Sequence, residues 1–470
     1  MTDKFLFLTG KLAQPSLEKV LAQMAPLPFE YHILELGLSV AALMTDKMIA
    51  RRLKPEFIVG YKEIIVPGRC RGDLKILSKS LGISIVRGPE EVKDLPIYFG
   101  RERKAPDLSR YNVNIFAEIV DAPERDIDSI LSRAKYYRES GADVIDIGCL
   151  PQEKFPHLEE AVVALHEAGF KVSVDSLELD DLRRAGRAGA DYLLSLTEET
   201  YHLAEEVDSI PILVPAVPGS LESLERAMEL MDKINRPWIA DPILDPIHFG
   251  LTNSIVRYHQ LRQRYPNADI MMGVGNLTEL TDAETSGINA LLFGIISELG
   301  VNNVLATEVS PHARRAIKEA DVARRMMYAA KEDSSLPRDL TSDLLVTHER
   351  RPFPDNDEEI EALASNIKDP NYRIKVAEQG IYLFNRDGLL RELDPYAFYP
   401  QLDLKGDLGH AFYLGAELAK AQIAWQLGKR YTQDQELQWG CATIVEQEDL
   451  TQQQAEGTTM TTGKKSGPAK

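Results

Sequence analysis

The chain has 470 residues, of which 44% are hydrophobic and 27% are charged, as in a globular protein of two or three domains. Its formal net charge of −19 offers no broad cationic face, which excludes nucleic acid as the main partner. Three widely separated cysteines, and no apolar run of the roughly 18 residues that a membrane span needs, predict a cytoplasmic protein without a membrane segment.

The first part of the chain, residues 1–105, is predicted to be an N-terminal α/β domain of the Rossmann-like type. Apolar strand patterns such as KFLFLTG and EIIVPG alternate with helical patterns such as DLKILSKSLG. Because alternating strands and helices favour a parallel sheet, we expect one here. The polar stretch GRERKAPDLSRYN, with its proline and its charges, is typical of a linker to the next domain.

A strand–helix unit then recurs eight times, and residues 112–330 are predicted to form one domain. Eight such pairs in this length fit a (β/α)8 TIM barrel, whose usual size is roughly 200 to 250 residues. An open doubly wound sheet is the alternative, and the count of eight disfavours it. The predicted strands are NIFAEIVD, ADVIDIG, KVSVDS, YLLSLT, PILVPAV, WIADP, DIMMGVGN and NNVLATEV.

The pattern stops after Ala330, where a charged connector containing prolines begins. Residues 345–445 are predicted to form a small C-terminal α+β domain, with strands in NYRIKVAEQGIYLFN and a long amphipathic helix in HAFYLGAELAKAQIAWQLG. The tail, residues 452–470, contains few apolar residues and is predicted to be disordered. The predicted fold class is therefore α/β, a central barrel between two smaller domains.

Carboxylates and one amide follow the predicted barrel strands, at the end where such barrels build their sites. A carboxylate matches an amino group beside a ring N–H bidentately, so this rim suits a heterocycle with a guanidine-like edge. No HExxH or GxSxG pattern indicates a zinc site or a serine nucleophile, and no protein-bound metal is predicted. The candidate residues are Asp146, Asp175, Asp241, Asp245 and Asn276.

Any one of these acids could instead be a salt-bridge partner or a helix cap. That reading is weaker for Asp146, Asp175 and Asp241, because each interrupts or ends an apolar strand. A buried acid without a partner at such a position would be costly.

Four segments in this order, GADVIDIG, KVSVDS, GADYLLS and DPILDPIHFG, resemble the pterin-binding barrel of dihydropteroate synthase and of the corrinoid methyltransferases that use methyltetrahydrofolate. The resemblance implies a TIM barrel and pterin contacts from Asp146 and Asp175. For the sixth strand, Asp245 matches the synthase motif and Asp241 matches the methyltransferase motif, and we favour Asp241 because it ends the strand. Asn276 resembles the asparagine that follows strand seven in the methyltransferases.

One departure concerns the phosphate site that the resemblance implies. The synthases carry a lysine motif after strand seven, whereas this chain reads GVGNLTEL, without Lys or Arg. The basic residues left to bind a phosphate are His312, Arg314 and Arg315, at the start of the eighth helix. The free N–H groups of a helix N-terminus could assist them. Whether Mg²⁺ binds together with the phosphate is left open.

The chain as a whole resembles divergent dihydropteroate synthase-related proteins of archaea and methylotrophic bacteria, which pair an N-terminal α/β domain containing a PGxCRGD-like turn with a pterin barrel. The resemblance implies a transferase that joins a hydroxymethyl-dihydropterin diphosphate to an arylamine in tetrahydromethanopterin or folate biosynthesis. The alternatives are a methyl-pterin-dependent methyltransferase and a non-catalytic pterin scaffold in one-carbon metabolism. Whether a flanking domain binds a protein partner, and whether the chain forms a homodimer, is left open.

Overall fold

A computed structural model of the chain describes residues 2–101, 106–150, 154–402, 404 and 406–443. The chain divides into two compact units, one of Met1–Tyr111 with Arg325–Leu340 and the other of Asn112–Arg324 with Thr341–Lys470. The predicted tail, 452–470, lies outside the described residues. The predicted domain boundaries stay predictions.

The first unit contains a four-stranded parallel sheet in the order β2-β1-β3-β4. Its strands and helices are β1 (Lys4–Thr9), α1 (Gln14–Gln23), β2 (Glu30–Glu35), α2 (Asp46–Arg52), β3 (Glu63–Val66), α3 (Leu74–Leu81), β4 (Ser84–Arg87) and α4 (Leu95–Tyr98).

Helices cover both faces of this sheet because alternate side chains of β1 point to opposite sides. Leu6 and Leu8 pack in one apolar cluster, and Phe5 and Phe7 pack in another. Helix α3 begins where the Asp73 carboxylate accepts the first free N–H groups of the helix. The predicted Rossmann-like α/β fold of this part is confirmed.

The second unit contains an eight-stranded parallel barrel in the order β10-β9-β8-β7-β6-β5-β12-β11. An isolated parallel bridge between Ala240 and Ile270 joins the two outer strands, which closes the barrel. Its strands are β5 (Asn114–Ile119), β6 (Val144–Gly148), β7 (Lys171–Asp175), β8 (Tyr192–Leu196), β9 (Ile210–Leu213), β10 (Ile239–Ala240), β11 (Met271–Gly273) and β12 (Asn303–Ala306).

Helices follow seven of the eight strands, and a 3-10 turn (Tyr201–Glu205) follows β8, where the eightfold strand–helix repeat predicts a helix. Two helices follow β11 where one was predicted. The barrel helices are α5 (Ile127–Glu139), α6 (Leu158–Glu167), α7 (Leu179–Arg187), α8 (Leu221–Lys233), α9 (Leu251–Arg264), α10 (Gly275–Thr278), α11 (Thr285–Leu299) and α12 (Ala316–Glu332). The predicted barrel is confirmed.

Residues after Thr341 add a three-stranded antiparallel sheet in the order β13-β14-β15, with three helices. Asn356 and Glu359 form a capping box at the start of the first of these helices. The elements are α13 (Asp357–Ser365), β13 (Arg373–Ala377), β14 (Gly380–Asn385), β15 (Gly388–Glu392), α14 (Pro395–Phe398) and α15 (Leu408–Leu427). The predicted α+β character of this part is confirmed. Among the described helices of the chain, none has both the length and the apolar character to cross a bilayer.

Candidate functional site

Three acidic side chains lie at the carboxyl ends of neighbouring barrel strands β5, β6 and β7. They are Glu118, Asp146 and Asp175, and we call them the carboxylate cluster. Glu118 is paired in register with Asp146, and Asp175 is paired with Gly148, two residues further along β6. These acids alternate with outward-facing residues, so they point into the barrel above its apolar interior.

The cluster is compact and its centre is inaccessible to solvent. One carboxylate oxygen of each residue lies within 4.8 Å of those of the other two. Asp146 has 0% exposure, and the hydroxyl of Ser173 lies near enough to its carboxylate to act against the rise of its pKa. Glu118 and Asp175 are only partly buried. Glu118 and Asp175 can therefore be reached by a ligand, whereas Asp146 is closed off from solvent.

Burial and mutual repulsion raise the pKa of all three acids. Burial, and then the nearby Asp175, raise the pKa of Glu118 to about 7, and burial raises that of Asp175 to about 6. The pKa of Asp146 rises well above its ordinary value because of burial, then because of Asp175 and Glu118. Without a bound ligand, the cluster therefore holds protons near neutral pH.

Two small residues complete the surroundings of the cluster. Ser173 is paired in register with Asp146 and is fully buried, and a hydrogen bond from its hydroxyl acts to lower the pKa of that aspartate. Gly148 leaves room for the first carboxylate, because a Cβ atom there would lie 2.7 Å from Oε1 of Glu118. The cysteine that follows, Cys149, is unsuited to act as a nucleophile, because burial raises the pKa of its thiol to about 12.

A second acidic position follows β10, where the Asp241 carboxylate is held by one oxygen. Its Oδ1 accepts hydrogen bonds from the hydroxyl of Tyr258 at 2.7 Å and from the N–H of Ile243 at 2.7 Å. Burial raises the pKa of Asp241 to about 6, although these two hydrogen bonds act to lower it. The second oxygen, Oδ2, is not used by either bond and can accept from a ligand.

The loop after Asp241 adopts a backbone conformation that is rare for its residue type. Ile243 has a φ of 67°, and a β-branched residue at positive φ costs of the order of 1–3 kcal/mol. Arg257 holds this loop, since its guanidinium donates to the carbonyl oxygens of Pro242 at 3.2 Å and Ile243 at 2.8 Å. The loop thereby directs the N–H of Ile243 at Asp241.

The other acid of this loop, Asp245, already has a partner of its own. Its Oδ2 accepts from Arg257 at 2.7 Å, and Gly250 packs so closely that a Cβ atom there would lie 2.8 Å from the same oxygen. This contact gives Asp245 a role in the loop structure. The two aspartates after strand six therefore differ in their partners: Asp245 pairs with the guanidinium of Arg257, whereas Asp241 accepts from a hydroxyl and a backbone N–H.

Asn276 lies in α10, directly after β11, and connects two neighbouring loops. Its side-chain NH2 donates to the carbonyl oxygen of Leu244 at 2.7 Å. Leu244 is part of the loop that also contains Asp241 and Asp245. The structure therefore brings Asn276 to the same part of the barrel mouth as these two aspartates, on the side opposite β6.

The predicted basic residues lie just before α12. His312 donates through Nε2 to the carbonyl oxygen of Thr278 at 3.0 Å, since a carbonyl can only accept. Arg314 is exposed and Arg315 is partly exposed. Within the described part of the chain, neither arginine forms an ion pair. Their guanidinium groups are therefore available to an anion.

The structure thus groups the predicted residues into two clusters of contacts and one set of free cations. Asp146 and Asp175 meet Glu118, and Asp241 meets Tyr258, a residue that sequence reasoning missed. Its hydroxyl could not be assigned from the sequence, because Tyr258 lies 17 residues beyond Asp241 in an ordinary amphipathic helix. Ser173 is a second residue that sequence reasoning missed. Its polar side chain within an otherwise apolar strand was a signal that could have identified it.

Comparison with known proteins reaches both units of the chain. A family described as "Family of unknown function (DUF6513)" matches residues 3–90. An uncharacterised protein of Methanocaldococcus jannaschii is 27% identical over 527 aligned positions, which cover 92% of this chain and 99% of that protein. The match thus extends over nearly the full length of both chains.

Solved structures of two kinds of synthase are similar to about half of the chain. A Yersinia pestis dihydropteroate synthase with a pterine-sulfa conjugate is 17% identical and covers 48% of this chain and 95% of its own, at a TM-score of 0.37. The 7,8-dihydropteroate synthase of Vibrio fischeri is 16% identical, with 48% and 95% covered, at a TM-score of 0.38. A truncated 3-deoxy-D-arabino-heptulosonate 7-phosphate synthase of Thermotoga maritima is 12% identical, with 47% and 87% covered, at a TM-score of 0.37. These TM-scores are nearly the same for synthases that catalyse different reactions, so they do not identify a reaction for this chain.

Proposed function

We propose that the barrel binds a pterin at its mouth and joins a hydroxymethyl-dihydropterin diphosphate to an arylamine with release of pyrophosphate, in the manner of a dihydropteroate synthase. The observation that carries the proposal is the Asp241 carboxylate, fixed through Oδ1 by Tyr258 and Ile243 while Oδ2 stays free. An anchored carboxylate with one free oxygen suits a ligand whose edge presents N–H donors. The product would enter tetrahydromethanopterin or folate-type cofactor biosynthesis.

The pterin edge has two neighbouring donors, an amino group and a ring N–H. In the proposed complex, Asp241 accepts one of them, and Asp175, partly exposed on β7, supplies a second carboxylate. Asn276, held next to the Asp241 loop by its bond to Leu244, contributes a side-chain oxygen as a further acceptor. Hydrogen bonds to a charged group contribute about 1.5–3 kcal/mol each, so these contacts account for specific binding.

The transfer step requires positive charge at the leaving group. The arylamine nitrogen attacks the exocyclic methylene carbon, the carbon–oxygen bond to diphosphate breaks, and pyrophosphate leaves with the electron pair while the amine loses a proton. Cationic groups stabilise the charge that develops on the leaving oxygens. In this chain the proposed groups are His312, Arg314 and Arg315, which take the place of a lysine motif that the sequence lacks.

A methyl-pterin-dependent methyltransferase is the second candidate, because Asn276 is hydrogen-bonded to Leu244 in the loop that follows Asp241. That reaction needs the pterin contacts and no diphosphate site. A partner protein on one of the flanking parts would then receive the methyl group. The two candidates differ in whether the diphosphate group strengthens pterin binding.

Calorimetric titration with hydroxymethyl-dihydropterin, with and without its diphosphate, tests the proposal. We expect Asp241→Asn to weaken binding of both ligands about 10- to 100-fold, the equivalent of one hydrogen bond to a charged group. The matched control is Glu319→Gln, which changes another buried acid that accepts from Thr285 at 2.6 Å between α11 and α12. Equal affinity of wild type and Asp241→Asn would refute the pterin site.

The titration with the diphosphate ligand distinguishes the two candidate reactions. For the transferase we expect Arg314→Ala to weaken binding of the diphosphate ligand and to leave binding of the plain pterin unchanged. If wild type binds both ligands equally and Arg314→Ala affects neither, the transferase proposal is wrong and the methyl-pterin candidate is favoured.

A further inference from the structure

Helix α15 is apolar on the side that faces solvent as well as on the side that faces the core. Leu414, Leu418 and Ala421 belong to the apolar cluster that the helix forms with β13 and β14. Its exposed residues all lie within about 100° of the helix circumference, on the side opposite these three. One of them is Gln426, and none is charged. The other six, which we call the apolar face, are Leu408, Phe412, Gly415, Ala416, Ala419 and Ile423.

The outer side of a surface helix normally carries charged residues, and α8 of the barrel is an example. The exposed residues of α8 are Glu222, Arg226, Glu229, Asp232 and Lys233. On α15, by contrast, Leu408 is 83% exposed and Phe412 is 81% exposed. A helix that is apolar all round is normally buried on all sides. The apolar face therefore belongs to an interface that the described part of one chain leaves uncovered.

We infer that a second copy of the chain covers this face, with the two α15 helices packed antiparallel about a two-fold axis. An axis midway between Ala416 and Ala419 places Ala416 opposite Ala419 of the partner subunit, and Phe412 opposite Ile423 of the partner subunit. The small residues then meet where the helices approach most closely, and the large residues pack on both sides of that point. The face is thus complementary to itself, as a two-fold interface between identical copies requires.

The distribution of charge fits two copies in this antiparallel arrangement. Two chains of net charge −19 repel each other, so they pack closely only where their surface is uncharged, as it is on the apolar face. The start of each helix lies next to the end of the other, so the opposed helix dipoles attract. Asp407 caps the start of α15, and Arg430 follows its end and forms no ion pair among the described residues. The arrangement brings these opposite charges of the two copies towards each other.

The exposed area at and beside α15 is large enough for a stable dimer. Gln422, at the border of the apolar face, donates to the carbonyl oxygen of Leu393 at 3.4 Å, which holds α14 next to the face. Tyr396 in α14 is 85% exposed, and Tyr399 directly after this helix is 73% exposed. Aromatic side chains bury roughly 150–250 Å² each, so the tyrosines and the apolar face together offer roughly 700 Å² per copy. A specific interface of standard size buries about 800 Å² per partner.

Sedimentation velocity of the full chain measures this association. We expect wild type to sediment as a dimer at micromolar concentration. Phe412→Glu and Ala416→Glu each place two like charges inside the interface, so each should raise the dimer dissociation constant roughly 100-fold or more, as the loss of a central interface residue does. Both positions are exposed in the single chain, so the far-UV circular dichroism spectrum of each variant should match that of wild type. The test needs no pterin, because α15 carries none of the candidate site residues.

The matched control is Leu291→Glu in α11, which places the same charge on a leucine of the barrel that is 69% exposed. It should sediment as a dimer, as wild type does. Two results would overturn the inference. One is a wild type that stays monomeric at the highest soluble concentration, as expected if another segment of the chain or a different protein covers the face. The other is a dimer that both α15 variants leave intact, and dissociation by Leu291→Glu would then place the contact on the barrel.

Mixing two variants tests the antiparallel register. Ile423→Lys alone should dissociate the dimer, as Phe412→Glu does. In an equimolar mixture, the acid introduced into one chain lies opposite the lysine introduced into the other, and one native contact between Phe412 and Ile423 remains, so a mixed dimer should form. A mixture that stays as monomeric as either variant alone would overturn this arrangement, because parallel helices place residue 412 opposite residue 412 of the other copy.

Discussion

The raised pKa of Asp241 predicts a pH-dependent loss of stability that can be calculated. Burial moves this pKa from an ordinary 3.8 to about 6 in the folded chain, while the unfolded chain keeps about 3.9. Because the folded pKa is the higher one, the contribution to stability is complete below the unfolded value and is lost as pH rises through the folded value. Two pKa units correspond to about 3 kcal/mol in the free energy of unfolding.

The perturbation is Asp241→Asn, which removes the ionisation and keeps an oxygen that can accept from Tyr258 and Ile243. Relative to wild type, we expect the variant to gain stability as pH rises. Between pH 4.5 and pH 7.5, the same linkage relation gives about 2 of the 3 kcal/mol. Other acids titrate in this range, but they contribute equally to both proteins and cancel in the difference.

Urea unfolding followed by fluorescence measures this difference. The three tryptophans are Trp238 in the barrel, and Trp425 and Trp439 after it. Replacing Trp425 and Trp439 by phenylalanine leaves Trp238, next to β10, as the only reporter, so the signal follows the barrel. The reasoning is refuted if the difference between the two proteins stays constant with pH, or if wild type becomes relatively more stable at high pH.

Two further substitutions test the packing around the acids. Gly148→Ala would place a Cβ atom 2.7 Å from Oε1 of Glu118, so we expect a lower urea midpoint of unfolding with an unchanged far-UV circular dichroism spectrum. Gly287→Ala, with no atom within 4 Å, is the matched control, and equal losses in the two variants would contradict the packing argument. Tyr258→Phe removes a hydrogen bond that lowers the pKa of Asp241, so the pH midpoint of the stability difference should rise. An unchanged midpoint would mean that the hydroxyl of Tyr258 does not act on the carboxylate.

The sequence alone determined the architecture of the barrel and of the parts beside it. Strands buried on both faces are continuous apolar runs, and helices between them show their own period, so eight pairs can be counted without coordinates. The predictions that were wrong concern short helical segments. The region after β8 folds as a 3-10 turn, and the region after β11 divides into α10 and α11, because local packing decides whether a single turn extends into a helix.

Tertiary structure decided which acids are available. Sequence reasoning left Asp241 and Asp245 as alternatives, and the difference between them is the guanidinium of Arg257, which pairs with Asp245. A sequence motif does not reveal this ion pair, because Arg257 lies in a helix twelve residues after Asp245 and only the fold of the loop brings the two side chains together.

The same holds for the carboxylate cluster. The sequence determined that Asp146 and Asp175 lie on neighbouring strands, but not that Asp146 is closed off from solvent or that a carboxylate oxygen of Glu118 lies within 4.8 Å of both. Strand register in the closed barrel sets these distances, and register depends on contacts between residues that lie far apart in the chain. The sequence therefore determined which residues reach the mouth, and only the tertiary structure decided that three of them converge on one point.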